Sequence, residues 1–488
     1  MEVVVKRLAL EQIKSDALIV GVEEGAKFKP DGELEKTVKN SFSLGFKGEY
    51  CQTLTVSNDN LKTRRILLVG LGKRSELNDE RVRRAFAAAV QEVKKTKPTA
   101  ISVCVLDTRE TQDIGLIRPI TEGVVLANYS FSKYKAEKLP AIKSLEIIYS
   151  GDTATAGKIS KTAKIICDNT NLARDICNEP GDSINPTTMA ELARKIARKS
   201  GLRINVIGEK EMKRLGLNLI LSVGKGSRYP PQLVILEYGK PSKDKTVLVG
   251  KGITFDTGGI NLKPSGYIEN MKSDKAGAVA VLMALKTLAE LKIKKNVIGV
   301  LPLCENMLGS SAQKPGNIVK SYSGATVEVV DTDAEGRLIL ADALAYAEKK
   351  YNPSMLIDIA TLTGSCIITF GEYVAGMLAN NDPLAKKMFE AGQKTGERVW
   401  RLPLYEDYVE EMKGEITDLK NLGYNKGRYA GAITGAAFIS KFVSKPWLHL
   451  DIAGTDWFDK PRWYVPSGAT GFGVRLLVEY LTKDTVSG

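Results

Sequence analysis

Short apolar runs rich in β-branched residues recur along the whole chain, and stretches of helical spacing separate them. Strands are expected at Ala17 to Val22, Arg65 to Val69, Ala100 to Leu106 and Leu145 to Tyr149. They recur at Thr246 to Val249, Asn296 to Leu301, Thr326 to Val330, Met355 to Ile359 and Leu448 to Ile452. Asp79 to Lys95, Ala276 to Leu291 and Leu338 to Lys349 carry the helical pattern. Such alternation calls for crossover connections, which lay strands side by side in parallel. The runs of the second set suit a sheet buried on both faces. The expected fold class is α/β.

A chain of 488 residues has room for about two to four domains. Thr155 to Cys177 has few breakers and reads as a long helix, stopped by the Gly- and Pro-bearing stretch from Asn178 to Pro186. The expected division is a smaller N-terminal α/β domain over residues 1–150, a linking helix and loop over 151–185, and a larger α/β domain over 186–488 with a mostly parallel central sheet.

Composition removes several classes of function. His449 is the only histidine, which excludes sites built on two imidazoles. With Asp451 two residues on, it reads as a packed imidazole rather than a base. The six cysteines are scattered without a CxxC pair, so reduced thiols are expected. Glu2 and Lys6 interrupt any apolar leader, and no run of about 18 apolar residues occurs; a cytoplasmic protein without membrane association is expected. The net charge of +13 would attract anions and leaves a nucleic-acid partner open, but the Lys and Arg residues are dispersed, as on a solvated surface. Gly70-Leu71-Gly72 follows a strand as a dinucleotide fingerprint would, yet Ser75 stands where its third glycine belongs, which leaves a tight turn.

The chemistry concentrates between Val249 and Ser365. Three polar clusters follow expected strands: Gly250-Lys251-Gly252-Ile253-Thr254-Phe255-Asp256-Thr257-Gly258-Gly259, then Asp331-Thr332-Asp333-Ala334-Glu335-Gly336-Arg337, then Thr361-Leu362-Thr363-Gly364. In an open parallel sheet the carboxyl ends of the strands form the ligand crevice, so these clusters converge. Asp274 adds an acid just before a helix. Asp256, Asp274, Asp333 and Glu335 gathered together would repel one another unless cations compensate. Two divalent ions held by such carboxylates can activate water and polarise the group under attack, which is hydrolytic chemistry. Lys251 is then either a neutral ligand or a residue pointing away, while Lys263 and Arg337 can receive charge developing on a carbonyl oxygen. The P-loop pattern does not fit, because Lys251 is followed by Gly252. The same carboxylates could serve a two-metal phosphoryl hydrolase; a lysine nitrogen among the ligands would count against that, since it suits zinc or another transition metal better than magnesium.

At these residues the sequence resembles the leucyl aminopeptidase family of cytosolic two-metal exopeptidases. The resemblance is carried by Asn178-Glu179-Pro180, Ser222-Val223-Gly224-Lys225-Gly226-Ser227, the 250–259 cluster, Pro302-Leu303-Cys304-Glu305-Asn306-Met307, the 331–337 cluster, Ala360-Thr361-Leu362-Thr363-Gly364, His449-Leu450-Asp451-Ile452-Ala453-Gly454 and Gly468-Ala469-Thr470-Gly471. It implies a macro-domain-like N-terminal domain and a catalytic domain that removes the first residue, leucine among others, from peptides with a free N-terminus. One exchangeable metal would be held by Asp256, Asp333 and Glu335 with the Asp333 carbonyl. A tighter one would be held by Lys251 as a neutral amine, Asp256, Asp274 and Glu335, and would receive the substrate's α-amino group. A hydroxide would bridge the two ions. Manganese or zinc is implied ahead of magnesium or cobalt. Lys263 would polarise the scissile carbonyl or bind the bridging hydroxide, and Arg337 would hold a bicarbonate acting as general base. Met271, Thr361, Leu362 and Gly364 would shape the substrate pocket, within a homohexamer made as a dimer of trimers. Two residues depart from the family. Asp331 replaces an Asn and reads best as a cap, and Asp456 stands where an uncharged side chain is usual, near the pocket for the first residue.

Overall fold

The computed structural model describes residues 1–27, 32–106, 113–137, 141–424 and 429–482. The chain forms two compact units, Met1–Asn171 with Lys460–Ser467, and Leu172–Asp459 with Gly468–Gly488. The long helix Thr153–Asn178 spans the point where the first gives way to the second.

The first unit holds a six-stranded sheet. Its strands are β1 (Glu2–Lys6), β2 (Ala17–Glu23), β3 (Thr53–Ser57), β4 (Arg65–Gly72), β5 (Ala100–Leu106) and β6 (Ser144–Ile148), in the spatial order β1-β6-β5-β2-β4-β3. All pairings are parallel except β3 with β4. Gly70 and Gly72 belong to β4, and the backbone N–H of Gly72 bonds the Gly48 carbonyl, so this glycine pair is built into strand and loop.

The second unit is organised around a nine-stranded sheet. Its strands are β7 (Arg203–Gly208), β8 (Gln232–Tyr238), β9 (Thr246–Gly250), β10 (Gly252–Asp256), β11 (Val297–Asn306), β14 (Met355–Ala360), β15 (Ala375–Ala379), β16 (Val399–Arg401) and β18 (Trp447–Asp451). The main path runs β16-β15-β18-β14-β9-β11-β8-β7, with β10 beside β11. The sheet is mixed. Its middle, β18-β14-β9-β11, is parallel, and antiparallel pairings of β15 with β18, β8 with β11 and β7 with β8 lie toward the margins. Every residue of β9 and β11 is buried, as a sheet covered on both faces requires.

Two expectations change here. The run at 326–329 does form a strand, β13 (Thr326–Val329), but outside the central sheet. It pairs with β12 (Asn317–Lys320) and β17 (Leu419–Lys420) in a separate three-stranded sheet. Its residues alternate between half-buried and buried, the pattern of a strand covered on one face. The 250–259 cluster, expected to follow a strand, is in part a strand itself. Gly252 to Asp256 extends into β10 and carries Asp256 at its end.

The helix Ala276–Glu290 packs on this sheet with nearly every residue buried. It can lie so close because its second residue has no side chain: a Cβ on Gly277 would stand 2.1 Å from the Ile359 carbonyl oxygen. That contact fixes the helix start, and Asp274 just before it, against β14. No helix among the described residues is long and apolar enough to cross a membrane.

Candidate metal centre

Lys251 leaves the end of β9 and turns inward. Its Nζ lies 2.8 Å from Asp274 Oδ1 and 2.9 Å from Glu335 Oε1, and donates to the Thr361 carbonyl at 2.8 Å. Burial alone would depress the amine's pKa, but the charges of Asp274, Glu335 and Asp256 outweigh it and hold Lys251 above the ordinary lysine value. The helix Gly336–Tyr351 begins with glycine for a steric reason. A Cβ at Gly336 would come within 2.7 Å of the Lys251 Nζ. Lys263 makes the second bridge, 2.9 Å from Asp256 Oδ2 and 2.6 Å from Asp333 Oδ1.

Two ammonium groups therefore stand among four carboxylates drawn from three separate stretches of chain. Oxygens of Asp256, Asp333 and Glu335 lie within 4.8 Å of one another. Burial, then repulsion from neighbouring acids, pushes Asp333 up to about 7 and drives Asp274 and Glu335 above the usual carboxylate range. Among the described residues, the buried oxygens Asp274 Oδ2 and Glu335 Oε2 have no hydrogen-bond partner. A buried carboxylate oxygen without a donor is costly, and a cation is the natural partner for it. The set of hard oxygens with one amine nitrogen, and an excess of negative charge over the two lysines, fits divalent metal ions.

The supporting contacts explain why the acids stay together. Asp256 Oδ1 accepts from Asn306 Nδ2 and from the Gly258 N–H, both at 2.8 Å. Asp274 Oδ1 accepts from the Thr361 hydroxyl at 2.6 Å. Asn421 clamps the stretch that carries Asp333. Its Oδ1 accepts the Val330 N–H at 2.7 Å, and its Nδ2 donates to the carbonyls of Asp331 at 2.6 Å and Ala334 at 3.2 Å. Asp331 accepts the Asp333 N–H at 2.8 Å and closes that turn as a cap. Asp451, at the end of β18, accepts from the Leu362 N–H at 3.0 Å and the Thr363 hydroxyl at 2.7 Å, which fixes the loop after β14. Asn306, Asn421 and Asp451 were not expected as site residues. Asn306 and Asp451 lie in stretches that carry the family resemblance, though without a role of their own there; the signal for Asn421 is only its position just past a strand end, which a turn or cap explains equally well.

Lys251, Lys263 and the four acids open onto a cavity of about 580 Å³. Met271, Thr361, Leu362, Gly364 and Asp456 line it as well, so all the expected pocket residues are brought to one place. Arg337 is not. It is buried beside the cavity's acids, but its Nη1 donates to the Asn421 carbonyl at 2.9 Å and its side chain is absent from the cavity wall. Burial brings its pKa down to about 10, with Glu335, Asp451 and Asp331 opposing. His449 is a packed imidazole: Nδ1 lies 2.6 Å from Asp358 Oδ1, while Trp447 Nε1 donates to the other oxygen of Asp358 at 2.6 Å.

Comparison with known proteins bears on this geometry. Residues 171–478 match the family described as "Cytosol aminopeptidase family, catalytic domain", and residues 19–138 match the N-terminal domain of the same family. A probable cytosol aminopeptidase of Geobacter sulfurreducens is 45% identical over 433 residues, covering 87% of this chain and 86% of the relative. One from Aquifex aeolicus is 39% identical over 497 residues, covering 99% and 98%. Among solved structures, a mutant of tomato leucine aminopeptidase superposes with a TM-score of 0.89 at 33% identity, covering 99% of this chain and 96% of its own. The bottromycin maturation enzyme BotP in complex with Mn gives 0.87 at 32% identity, covering 96% and 99%. These matches do not favour the nucleic-acid reading.

Proposed function

Because the chain belongs to the cytosol aminopeptidase family, whose members are metal-dependent aminopeptidases, we propose that it releases single residues, leucine among them, from the free N-terminus of peptides at the centre built on Lys251, Asp256, Asp274, Asp333 and Glu335. The observation that carries this is the pair of partnerless buried oxygens, Asp274 Oδ2 and Glu335 Oε2, among acids gathered from separate segments.

In this reading Asp256, Asp333 and Glu335, with the Asp333 carbonyl, hold one ion; Lys251, Asp256, Asp274 and Glu335 hold the other. When bound, the ions supply Lewis acidity, which polarises a carbonyl and acidifies water. Manganese or zinc suits the mixed oxygen and nitrogen donors. The remaining acts belong to the chain. Lys263 donates toward the oxygen of the scissile carbonyl as negative charge grows there. Met271, Thr361, Leu362, Gly364 and Asp456 receive the side chain of the first residue, and the Asp451-anchored loop sets where that residue lies. Arg337 holds a bicarbonate as general base; only its Nη1 is engaged by the Asn421 carbonyl, which leaves Nε and Nη2 to donate. A cytoplasmic homohexamer, made as a dimer of trimers, completes the proposal.

Metal-stripped protein reconstituted separately with manganese, zinc, cobalt and magnesium is assayed on leucine amide and on its N-acetyl analogue. Hydrolysis of leucine amide alone is expected. Equal rates on the blocked analogue would overturn the anchoring of the free amine. Light scattering of the reconstituted protein checks the hexamer.

A further inference from the structure

Asp456 sits on the turn that follows β18, its backbone N–H bonded to the Ile452 carbonyl at 3.1 Å. Only 7% exposed, it faces the cavity beside Met271, Leu362, Ile367, Ala453 and Trp457, which are apolar or nearly so. Its Oδ1 accepts the Gly454 N–H at 3.2 Å, and Ser273 supplies a further hydrogen bond. No ion pair among the described residues includes it. The two ammonium groups on the cavity wall are each held by two other carboxylates, Lys251 by Asp274 and Glu335, and Lys263 by Asp256 and Asp333. Lys272 lies over the Trp457 ring, 5.4 Å from its centroid, and is not on the wall. Glu372 and Asp459 add acid rather than base to the same wall.

A carboxylate among apolar walls with no cation of its own is poorly solvated. A leucine side chain entering the cavity would cut it off further from water. A lysine or arginine side chain would lay its methylenes along Met271, Leu362 and Trp457 and bring a cation to the acid. We propose that Asp456 makes this cavity selective for peptides whose first residue carries a cationic side chain, lysine or arginine. The inference rests on the aminopeptidase reading and names the substrate class of that site. Burial pushes Asp456 up to about 6, which leaves it ionised at pH 7.5.

Charge can be separated from shape on the unaltered enzyme. With manganese-loaded protein at pH 7.5, kcat/KM is measured for arginine amide against citrulline amide, and for lysine amide against norleucine amide. Each pair has similar bulk and differs in charge. At least a tenfold preference for the charged member is expected in both pairs. The same ratios in Asp456→Asn and Asp456→Met are expected to collapse toward one. Ratios near one in the parent would overturn the inference while leaving the aminopeptidase reading intact, and so would a preference that survives both substitutions. Hydrolysis of none of the four amides, nor of leucine amide, would bring down both.

Discussion

Replacing Lys251 with methionine tests the charge balance of the centre. The ammonium contacts Asp274 at 2.8 Å and Glu335 at 2.9 Å, and both carboxylates are almost wholly enclosed. Methionine keeps most of the volume but removes the cation and leaves two acids facing each other. Breaking a buried ion pair by deleting one partner typically costs about 3–5 kcal/mol. The acids can escape part of this by taking up protons. Neutralising one carboxyl of ordinary pKa near 4 at pH 7.5 costs about 1.4 kcal/mol for each of roughly 3.5 pH units, or about 5 kcal/mol, which caps the loss per acid. With a urea dependence of about 3 kcal/mol per molar, a loss of about 4 kcal/mol moves the unfolding midpoint down by about 1.3 M. The assay is urea unfolding in EDTA, followed by far-UV circular dichroism, of the parent and Lys251→Met. Midpoints within about 0.3 M of each other in EDTA would refute the reasoning.

Gly277→Ala sets a Cβ 2.1 Å from the Ile359 carbonyl, a backbone collision, and should destabilise the protein by about 2 kcal/mol or more in the same urea assay. Asp342 is buried under the N–H groups of Leu219, Ile220 and Tyr322, and burial pushes it up to about 7. The folded protein therefore binds this proton more tightly than the unfolded chain, so its contribution to stability is full below the ordinary value of 3.8 and is lost as pH rises toward 7. The difference in unfolding free energy between the parent and Asp342→Asn should fall between pH 5 and 7.5 and then level; a flat difference would contradict this. Asp451→Ala strips the Leu362 N–H and the Thr363 hydroxyl of their acceptor. It should loosen the 361–364 loop and lower kcat/KM for leucine amide tenfold or more; an unchanged value would deny the loop its positioning role.

The strands were legible because each is a compact β-branched run between breakers, and Ala100 to Leu106 forms over the expected span. Which sheet a run joins is less legible. Thr326 to Val329 is too short for its alternation to say more than that one face is covered, and its partners at 317–320 and 419–420 lie on either side of it in the chain. Lys251, Asp256, Asp274, Asp333 and Glu335 stood out because acids and an amine at strand ends are hard to explain apart from a shared ligand. Asn306, Asn421 and Asp451 did not, because their work is done on backbone groups far away in sequence, and a single Asn or Asp carries no sign of which distant N–H it will meet. Arg337 reads as a cavity residue from its place in the 331–337 cluster. At the second position of a buried helix, it also sends one guanidinium nitrogen to the Asn421 carbonyl, a partner that its place in that cluster does not announce.

Asn421 follows directly on β17, in the small sheet rather than the large one, yet it grips the backbone at 330, 331 and 334. The placement of one acid cluster thus depends in part on a residue carried by the small sheet, beside the bonds from Asp331, Asn261 and Asn306. One side chain outside the large sheet therefore holds three backbone groups around Asp333 and Glu335 at once, so a change at Asn421 reaches the acids without touching any of them.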